Sequence, residues 1–333
     1  MKPIVALLIP EPMAGKILSA ESRRRLAALA CVAERTADPI TAALAKDLLR
    51  DADACVTSWG TPQLTAEFMD VAPRLRLIVH AAGSVKPIVS DAVWARGIQV
   101  ASGAYAIAVT VAEHTLGLML SAMKRSYWLN DIAHRGGWKD QAECGKIVEF
   151  YGVTIGIVGA GHVGRHVIKL LRNFEVEILL YDPFVSGDEA HGLGAAKVDQ
   201  IDELMRRSHV VSLHAPNLPE TRHLVNARNL PLLRDGALLI NTARGALIDE
   251  AALFDEAKTG RITVCLDVTD PEPPTVDDPL RRLPNVVFTP HVAGTVTNGL
   301  ARLGALACTE LERFFAGQPL LHPVRQQDLV RLA

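Results

Sequence analysis

Three ionisable side chains stand just past apolar runs in the second half of the chain, each beside a glycine or a proline. Arg244 lies in Asn241-Thr242-Ala243-Arg244-Gly245, Glu272 in Asp267-Val268-Thr269-Asp270-Pro271-Glu272-Pro273, and His291 in Thr289-Pro290-His291-Val292-Ala293-Gly294. Taken singly, each has a structural explanation: an arginine pairs with a nearby acid, a loop glutamate is solvated, a histidine caps a strand. Together they suit hydride transfer between a 2-hydroxy acid and a nicotinamide. Imidazole, with an ordinary pKa of about 6.5, can move the hydroxyl proton. A carboxylate behind it orients the ring and favours the protonated form that ketone reduction needs. A guanidinium binds a carboxylate and polarises a carbonyl as charge develops.

Such chemistry requires a place for a dinucleotide, and Val153 to Asp182 offers one: VTIGIVGAGHVGRHVIKLLRNFEVEILLYD. An apolar run meets Gly159-Ala160-Gly161-His162-Val163-Gly164, an amphipathic stretch follows, and a second apolar run ends on Asp182. The order is strand, tight turn, helix, strand, acid. Gly159 permits the turn, Gly161 leaves room for a pyrophosphate, and Gly164 lets the helix pack on the strand. The helix N-terminus, with its free N–H groups and positive dipole end, would face the phosphates. Asp182 would accept from the ribose hydroxyls and repel a 2′-phosphate, so NAD is expected rather than NADP.

The elements that position these groups alternate throughout. In the first hundred residues strands are expected at Ile4–Ile9, Ala54–Thr57, Leu75–Val79 and Ile98–Val100. Helices are expected around Ser19–Ala28, Thr41–Leu49, Thr65–Asp70 and Val89–Arg96, with Thr41 and Thr65 as N-caps. Beyond Asp182, strands are expected at Val210–His214, Ala237–Asn241, Ile262–Asp267 and Val286–Thr289, with a helix at Asp249–Lys258. Alternation of this kind implies parallel sheets covered on both faces. Ligands gather beyond the carboxyl ends of such strands. The backbone N–H groups of Gly83, Ser84 and Val85, after the run Leu75–Val79, could hold a carboxylate there; a plain strand-to-helix turn is the alternative. Tyr105 to Met123 reads as a buried helix linking two domains, in which Glu113 and His114 are structural polar groups. The polar segment after it carries Trp128 and Trp138, which suggest a surface covered by another subunit or, alternatively, simple packing on their own domain. A final helix, Leu300 to Phe315, is apolar enough to cover the first domain.

Composition narrows the class. The 333 residues are 49% hydrophobic and 22% charged with a net charge of -2, a globular profile long enough for two cored domains. Arg23-Arg24-Arg25 reads as a solvated helix face, so no nucleic-acid partner is expected. No apolar run approaches the roughly 20 residues of a membrane span, so no membrane partner is expected either. The N-terminal run is short for a signal segment and reads as a first strand. Five scattered cysteines without CxxC spacing fit reduced thiols in a cytoplasmic protein, with no disulfide frame and no metal.

The motifs together resemble the D-isomer-specific 2-hydroxyacid dehydrogenase family over nearly the whole chain. They are VAEHTLGLML (Val111–Leu120), GIVGAGHVGRHV (Gly156–Val167), SLHAPNLPETRHLVN (Ser212–Asn226), LLINTARGALIDEAAL (Leu238–Leu253), LDVTDPEPP (Leu266–Pro274) and TPHVAG (Thr289–Gly294). The resemblance implies that Arg244, Glu272 and His291 are the catalytic arginine, glutamate and histidine. It implies that the turn residues Gly159 to Gly164, with His214, Pro216, Thr242, Ala243 and Gly294, line the NAD cofactor, and that Asp267 is the acid near the nicotinamide amide. The implied fold is α/β, with two doubly wound parallel-sheet domains and an inter-domain cleft. A discontinuous flavodoxin-like substrate domain comprises residues 1–104 and 298–333, and a Rossmann NAD-binding domain comprises 105–297. A homodimer through an arm at 125–150 is also implied, by which Trp138 would reach the partner's active site. HAAGSVKPIV lacks the family's frequent acid–asparagine pattern, ASGAY stands where Asn-x-Pro is common, and Thr269 replaces a usual aromatic. The substrate is expected to be a small 2-hydroxy or 2-keto acid, with the end at Ala333 counting against a phosphoglycerate enzyme carrying a regulatory domain. The alternative is an NAD(H)-sensing, corepressor-like binding protein of the same fold.

Overall fold

The computed structural model describes residues 2–332, and the chain divides into two compact units: Met1–Ile107 with Thr295–Leu332, and Ala108–Gly294. The first joint falls inside the helix Ala104–Met123, three residues beyond the expected boundary.

In the first unit, strands β1 (Ile4–Leu8), β2 (Cys31–Ala33), β3 (Ala54–Thr57), β4 (Leu77–His80) and β5 (Gln99–Ser102) run parallel in the order β2-β1-β3-β4-β5. That is the flavodoxin-like doubly wound order. Pro323–Val324 adds a short antiparallel strand beside β5. All residues of β3 and β4 are buried, because helices cover both faces and leave no solvent side for polar alternation. Val5, Leu7, Val56 and Val79 face one layer of core, Ala6, Leu8, Cys55 and Ile78 the other. The helix Ala301–Phe315 lies in the first of these layers through Leu303, Ala307 and Leu311, as its apolar pattern requires. Gly304 allows the approach, since a Cβ there would lie 2.1 Å from the carbonyl oxygen of Ile17.

Local expectations hold where the physical signal was strong. Ser19 caps Ala20–Leu29 by accepting from the Ser22 N–H at 3.1 Å, and Thr41 caps Ala42–Leu49 by accepting from the Leu44 N–H at 3.2 Å. Thr65 precedes the helix Ala66–Val71, but its hydroxyl makes no capping bond. Arg25 corrects the reading of a solvated basic face: its Nε and Nη2 donate to Glu312 at 2.8 and 2.7 Å, joining Ala20–Leu29 to the C-terminal helix. The strand β2 and the helix Met13–Ile17 were not anticipated, being three and five residues long, too short to show a period.

In the second unit, strands β6 (Tyr151–Val158), β7 (Glu175–Tyr181), β8 (Ala196–Lys197), β9 (Val210–Leu213), β10 (Leu238–Asn241), β11 (Thr263–Leu266) and β12 (Val286–Phe288) pair in the order β8-β7-β6-β9-β10-β11-β12. The chain order reverses between β6 and β9, the switch point of a Rossmann sheet. One face packs on the helix His162–Leu171 and on Ala112, Leu118 and Met119 of Ala104–Met123. That helix is 20 residues long and apolar enough to cross a membrane by length and composition, which the expectation of no membrane-length apolar run did not foresee. Thr110, Glu113, His114 and Thr115 interrupt it, and half of its most apolar window is buried inside the protein, as in a core helix.

The two tryptophans after this helix part company. Trp128 packs on its own unit, with its indole N–H donating to the Pro284 carbonyl at 2.6 Å and the Arg125 guanidinium 3.5 Å over its ring. Trp138 is 82% exposed.

Candidate active site

The ends of β10, β11 and β12 each carry one of the three ionisable groups. Beyond β10, the buried Asn241 folds the backbone back on itself: its Oδ1 accepts from the Ala243 N–H at 3.0 Å and its Nδ2 donates to the Arg244 carbonyl at 2.8 Å. Arg244 is thereby held at the strand end, half-buried, with Nη1 donating to the Ala243 carbonyl at 2.6 Å. No other hydrogen bond from its guanidinium is present among the described residues. Burial pulls its pKa below the ordinary arginine value, and the charge of Glu272 opposes that pull. Gly245 explains how this loop meets the next, since a Cβ there would lie 2.0 Å from the Thr269 carbonyl carbon.

The loop after β11 is braced from the helix Glu250–Ala257, whose Glu250 accepts the Asp270 N–H at 2.8 Å. Burial pushes the Glu250 carboxyl up to about 7, with that hydrogen bond opposing. Two residues on, Glu272 Oε1 is bonded to His291 Nδ1. His291 has a positive φ of 51°, a conformation uncommon outside glycine that is worth attention at a candidate site. Asp267 is what holds it. The Asp267 carboxylate is buried and accepts from the Val292 and Ala293 N–H groups at 3.0 Å each and from Thr289 Oγ1 at 2.5 Å. Its own carbonyl takes the His291 N–H at 2.9 Å. His114, read as structural, reaches Thr289 Oγ1 at 3.3 Å. The structure thus brings Glu272, His291 and Asp267 together and sets Arg244 within the field of Glu272. Asn241, Gly245, Thr289 and Glu250 position the group without a sequence signal that assigns them a role, although a carboxamide or acid beside each loop marks Asn241 and Glu250.

The glycine turn passes the steric tests of a phosphate cradle. Gly159 sits at φ 95° after β6, where a Cβ would press within 3 Å of the His214–Ala215 backbone, and a Cβ on Gly164 would lie 2.0 Å from the Gly159 carbonyl oxygen. A Cβ on Gly161, the N-cap of His162–Leu171, would meet nothing within 4 Å, so the open space is where a pyrophosphate would lie. His162 is exposed and Val163 packs against the core beneath. Asp182 Oδ2 accepts from the Ala160 N–H at 2.7 Å and Oδ1 from the Phe184 N–H at 2.8 Å, tying the acid to the turn. Across the switch point, His214 Nε2 bonds Ser212 Oγ at 2.9 Å while its buried Nδ1 has no partner. Thr242 Oγ1 bonds Thr115 Oγ1 at 2.9 Å, and Pro216 and Gly294 are partly exposed at their strand ends.

In the first unit, the loop after β4 is fixed by its carbonyls. Ser102 Oγ donates to the Gly83 carbonyl at 2.7 Å, and Ser58 Oγ to that of Ala81 at 3.3 Å. The buried His80 ring bonds Thr57 Oγ1 at 2.9 Å and the Ser84 backbone. The N–H groups of Gly83, Ser84 and Val85 have no partner among the described residues.

The chain matches the D-isomer specific 2-hydroxyacid dehydrogenase, NAD binding domain, over residues 116–293. It belongs to that family. The D-3-phosphoglycerate dehydrogenase of Methanocaldococcus jannaschii is 34% identical over 271 residues, 81% of this chain, and the chain spans about half that protein's length, 51%. The hydroxypyruvate reductase of Thermotoga maritima is 33% identical over 77% of this chain and 83% of its own. Among solved structures, the PH0520 protein of Pyrococcus horikoshii is 27% identical with a TM-score of 0.78, covering 99% of this chain and 97% of its own. A 2-hydroxyacid dehydrogenase domain of this kind takes a nicotinamide dinucleotide, and the Gly159–Gly164 turn and the unpartnered His214 Nδ1 fit one.

Two histidines of this dehydrogenase family member should make its stability fall in acid. Burial pushes His80 down to about 4 and His214 down to about 3. Both lie below the ordinary value of about 6.5, so the unfolded chain binds more protons between those limits. Stability from these groups is complete above pH about 6.5 and is lost as pH falls towards the folded values; by pH 4 the loss is roughly 6 kcal/mol in all. The thermal midpoint is therefore expected to drop steadily from pH 7 to pH 4, and less steeply in a His80→Gln, His214→Gln double variant. Parallel curves for the two proteins would remove these histidines from the account.

Proposed function

We propose that the chain is an NAD-dependent oxidoreductase transferring a hydride between nicotinamide and C2 of a small D-2-hydroxy or 2-keto acid. One observation carries the reading: His291 Nδ1 is bonded to Glu272 Oε1 while Arg244, partly buried with most of its donors unspent, stands at the neighbouring strand end. Bound NADH supplies the hydride. Glu272 fixes Nδ1 as the bonded nitrogen, which leaves His291 Nε2 to give its proton to the substrate's carbonyl oxygen, or to take it from the hydroxyl in reverse. Arg244 binds the substrate carboxylate and steadies charge on the carbonyl oxygen. Asp182 favours NAD over NADP because its carboxylate would repel a 2′-phosphate.

The reading further has the protein working in a reducing cytoplasm as a homodimer; five unpaired thiols and the exposed Trp138 support it.

The test is loss of absorbance at 340 nm when the protein is mixed with NADH and a panel of 2-keto acids, repeated with NADPH. Oxidation by at least one acid, faster with NADH, is expected. Tight NADH binding without oxidation by any acid would favour the sensing role of a corepressor-like protein instead.

A further inference from the structure

Inside the second unit, one acid stands where its charge is disfavoured. Glu250 opens the helix Glu250–Ala257, half-buried, and its one hydrogen bond among the described residues is accepted from the Asp270 N–H at 2.8 Å. It shares a hollow with Asp255 and Asp278, beside the apolar Phe254 and Leu280, and among the described residues no cation lines that hollow. The cations around it are engaged elsewhere: Lys258 with Asp255 at 2.6 Å, Arg222 with Asp270 at 3.3 Å, Arg282 with Asp277 at 3.5 Å, and Arg281 with the Pro274 carbonyl at 3.0 Å. Asp249 caps the helix, Asp278 accepts from the Leu280 N–H at 2.9 Å, and the turn Leu230–Leu232 beside the helix has no ionisable residue. Burial lifts the Glu250 carboxyl to about 7 against the pull of the Asp270 N–H, and the charges of Asp278 and Asp270 add to the lift. A helix start favours an acid, yet a glutamine would accept the same loop amide without a half-buried charge. What glutamate adds is a proton that leaves and returns close to neutrality.

The amide that Glu250 grips belongs to the loop that carries Glu272. Asp270 is followed by Pro271, whose ring fixes φ, and then by Glu272, whose Oε1 is bonded to His291 Nδ1. The loop has little freedom to absorb a shift on its other side. Thr269 lies against Gly245, where a Cβ would be 2.0 Å from the Thr269 carbonyl carbon, and Thr269 Oγ1 donates to the Pro271 carbonyl at 2.8 Å. A change in how Asp270 is held is therefore passed on to Glu272. An ionised carboxylate accepts an N–H more strongly than a protonated one. The grip is firm when Glu250 is ionised and slack when it is protonated.

We propose that Glu250 is a positioning residue for the Glu272–His291 pair: its carboxylate, gripping the Asp270 amide, holds Glu272 against His291, and its protonation releases that hold and slows turnover in mild acid. This rests on the reading of His291 as the proton donor to a 2-keto acid. The test follows kcat and KM, with NADH and a 2-keto acid that the protein reduces, from about pH 5.5 to about pH 9 in the native protein, Glu250→Gln and Glu250→Ala. The native kcat is expected to fall in acid with a midpoint near 7, reaching roughly one-tenth of its plateau by about pH 6. Glutamine keeps an acceptor for the Asp270 N–H and cannot titrate, so Glu250→Gln is expected to lose that acid limb. Alanine keeps neither, so Glu250→Ala is expected to run about ten-fold below the glutamine variant in kcat across the range, with KM little changed. A native kcat with no acid limb near neutrality, a glutamine variant that keeps the native limb, or an alanine variant whose loss lies in KM would overturn the proposal. Should no 2-keto acid be reduced, the reductase reading fails, and NMR decides the link between Glu250 and the pair separately. The imidazole C–H signal of His291, assigned by its loss in His291→Gln, is then followed against pH. A second inflection close to neutrality that Glu250→Gln removes upholds the link, and the same curve in both proteins ends it.

Discussion

His291→Gln is expected to abolish measurable turnover of 2-keto acids while leaving dinucleotide affinity in place. Glutamine can keep the bond to Glu272, but it cannot carry a proton to the substrate oxygen. Removing a positioned general acid typically costs about 10²- to 10⁴-fold. The turn that would cradle the cofactor is held by other groups: the Gly159 to Gly164 backbone and the bonds from Asp182. Steady-state rates across pH, with NADH binding followed by fluorescence, check both halves. Near-native rates at every pH would show that another group handles the proton. A variant that also lost NADH binding would show His291 to be structural.

The backbone framework of both units was legible because parallel strands buried on both faces leave continuous apolar runs. Ala54–Thr57 matches the expected strand end to end, and the others shift by a residue or two. The edge elements were not, since Cys31–Ala33 pairs on one side only and is three residues long. The same division runs through the candidate site. Arg244, Glu272 and His291 could be picked out as ionisable residues past strands beside glycine or proline, and the Glu272–His291 bond is the expected one.

What the sequence hid is the support. Asp267 is expected near the nicotinamide amide, and in this structure its carboxylate also organises the Val292 and Ala293 amides and Thr289. A carboxylate that organises a loop 25 residues on leaves no local spacing to read. Gly245 has no role that its motif LLINTARGALIDEAAL spells out, and only its missing Cβ lets two loops touch. Asn241 is similar: a side chain that accepts from residue 243 and donates to residue 244 has no periodic signature, although asparagine's habit of bonding nearby backbone is general.

Arg244→Ala should lower kcat/KM for a 2-keto acid by roughly 10²- to 10⁴-fold. The figure corresponds to two charge-assisted hydrogen bonds, at about 1.5–3 kcal/mol each, lost from a substrate carboxylate and carbonyl. The expectation follows from how the side chain is kept. A guanidinium that burial disfavours, and that among the described residues spends a single donor on the adjacent Ala243 carbonyl, contributes little to the fold that would explain its cost. Its remaining donors suit a planar acid. Lysine would keep the charge but not the fork, so Arg244→Lys should recover only a minor part of the loss. Added guanidinium ion should restore activity to the alanine variant and leave the lysine variant little changed. Because Asn241 holds the Arg244 backbone and not its side chain, the thermal midpoint should move by no more than a few degrees, about what 1 kcal/mol gives in a domain this size. If NADH affinity fell as far as kcat/KM, or if the midpoint collapsed, Arg244 would belong to the scaffold and the acid would have to be gripped elsewhere.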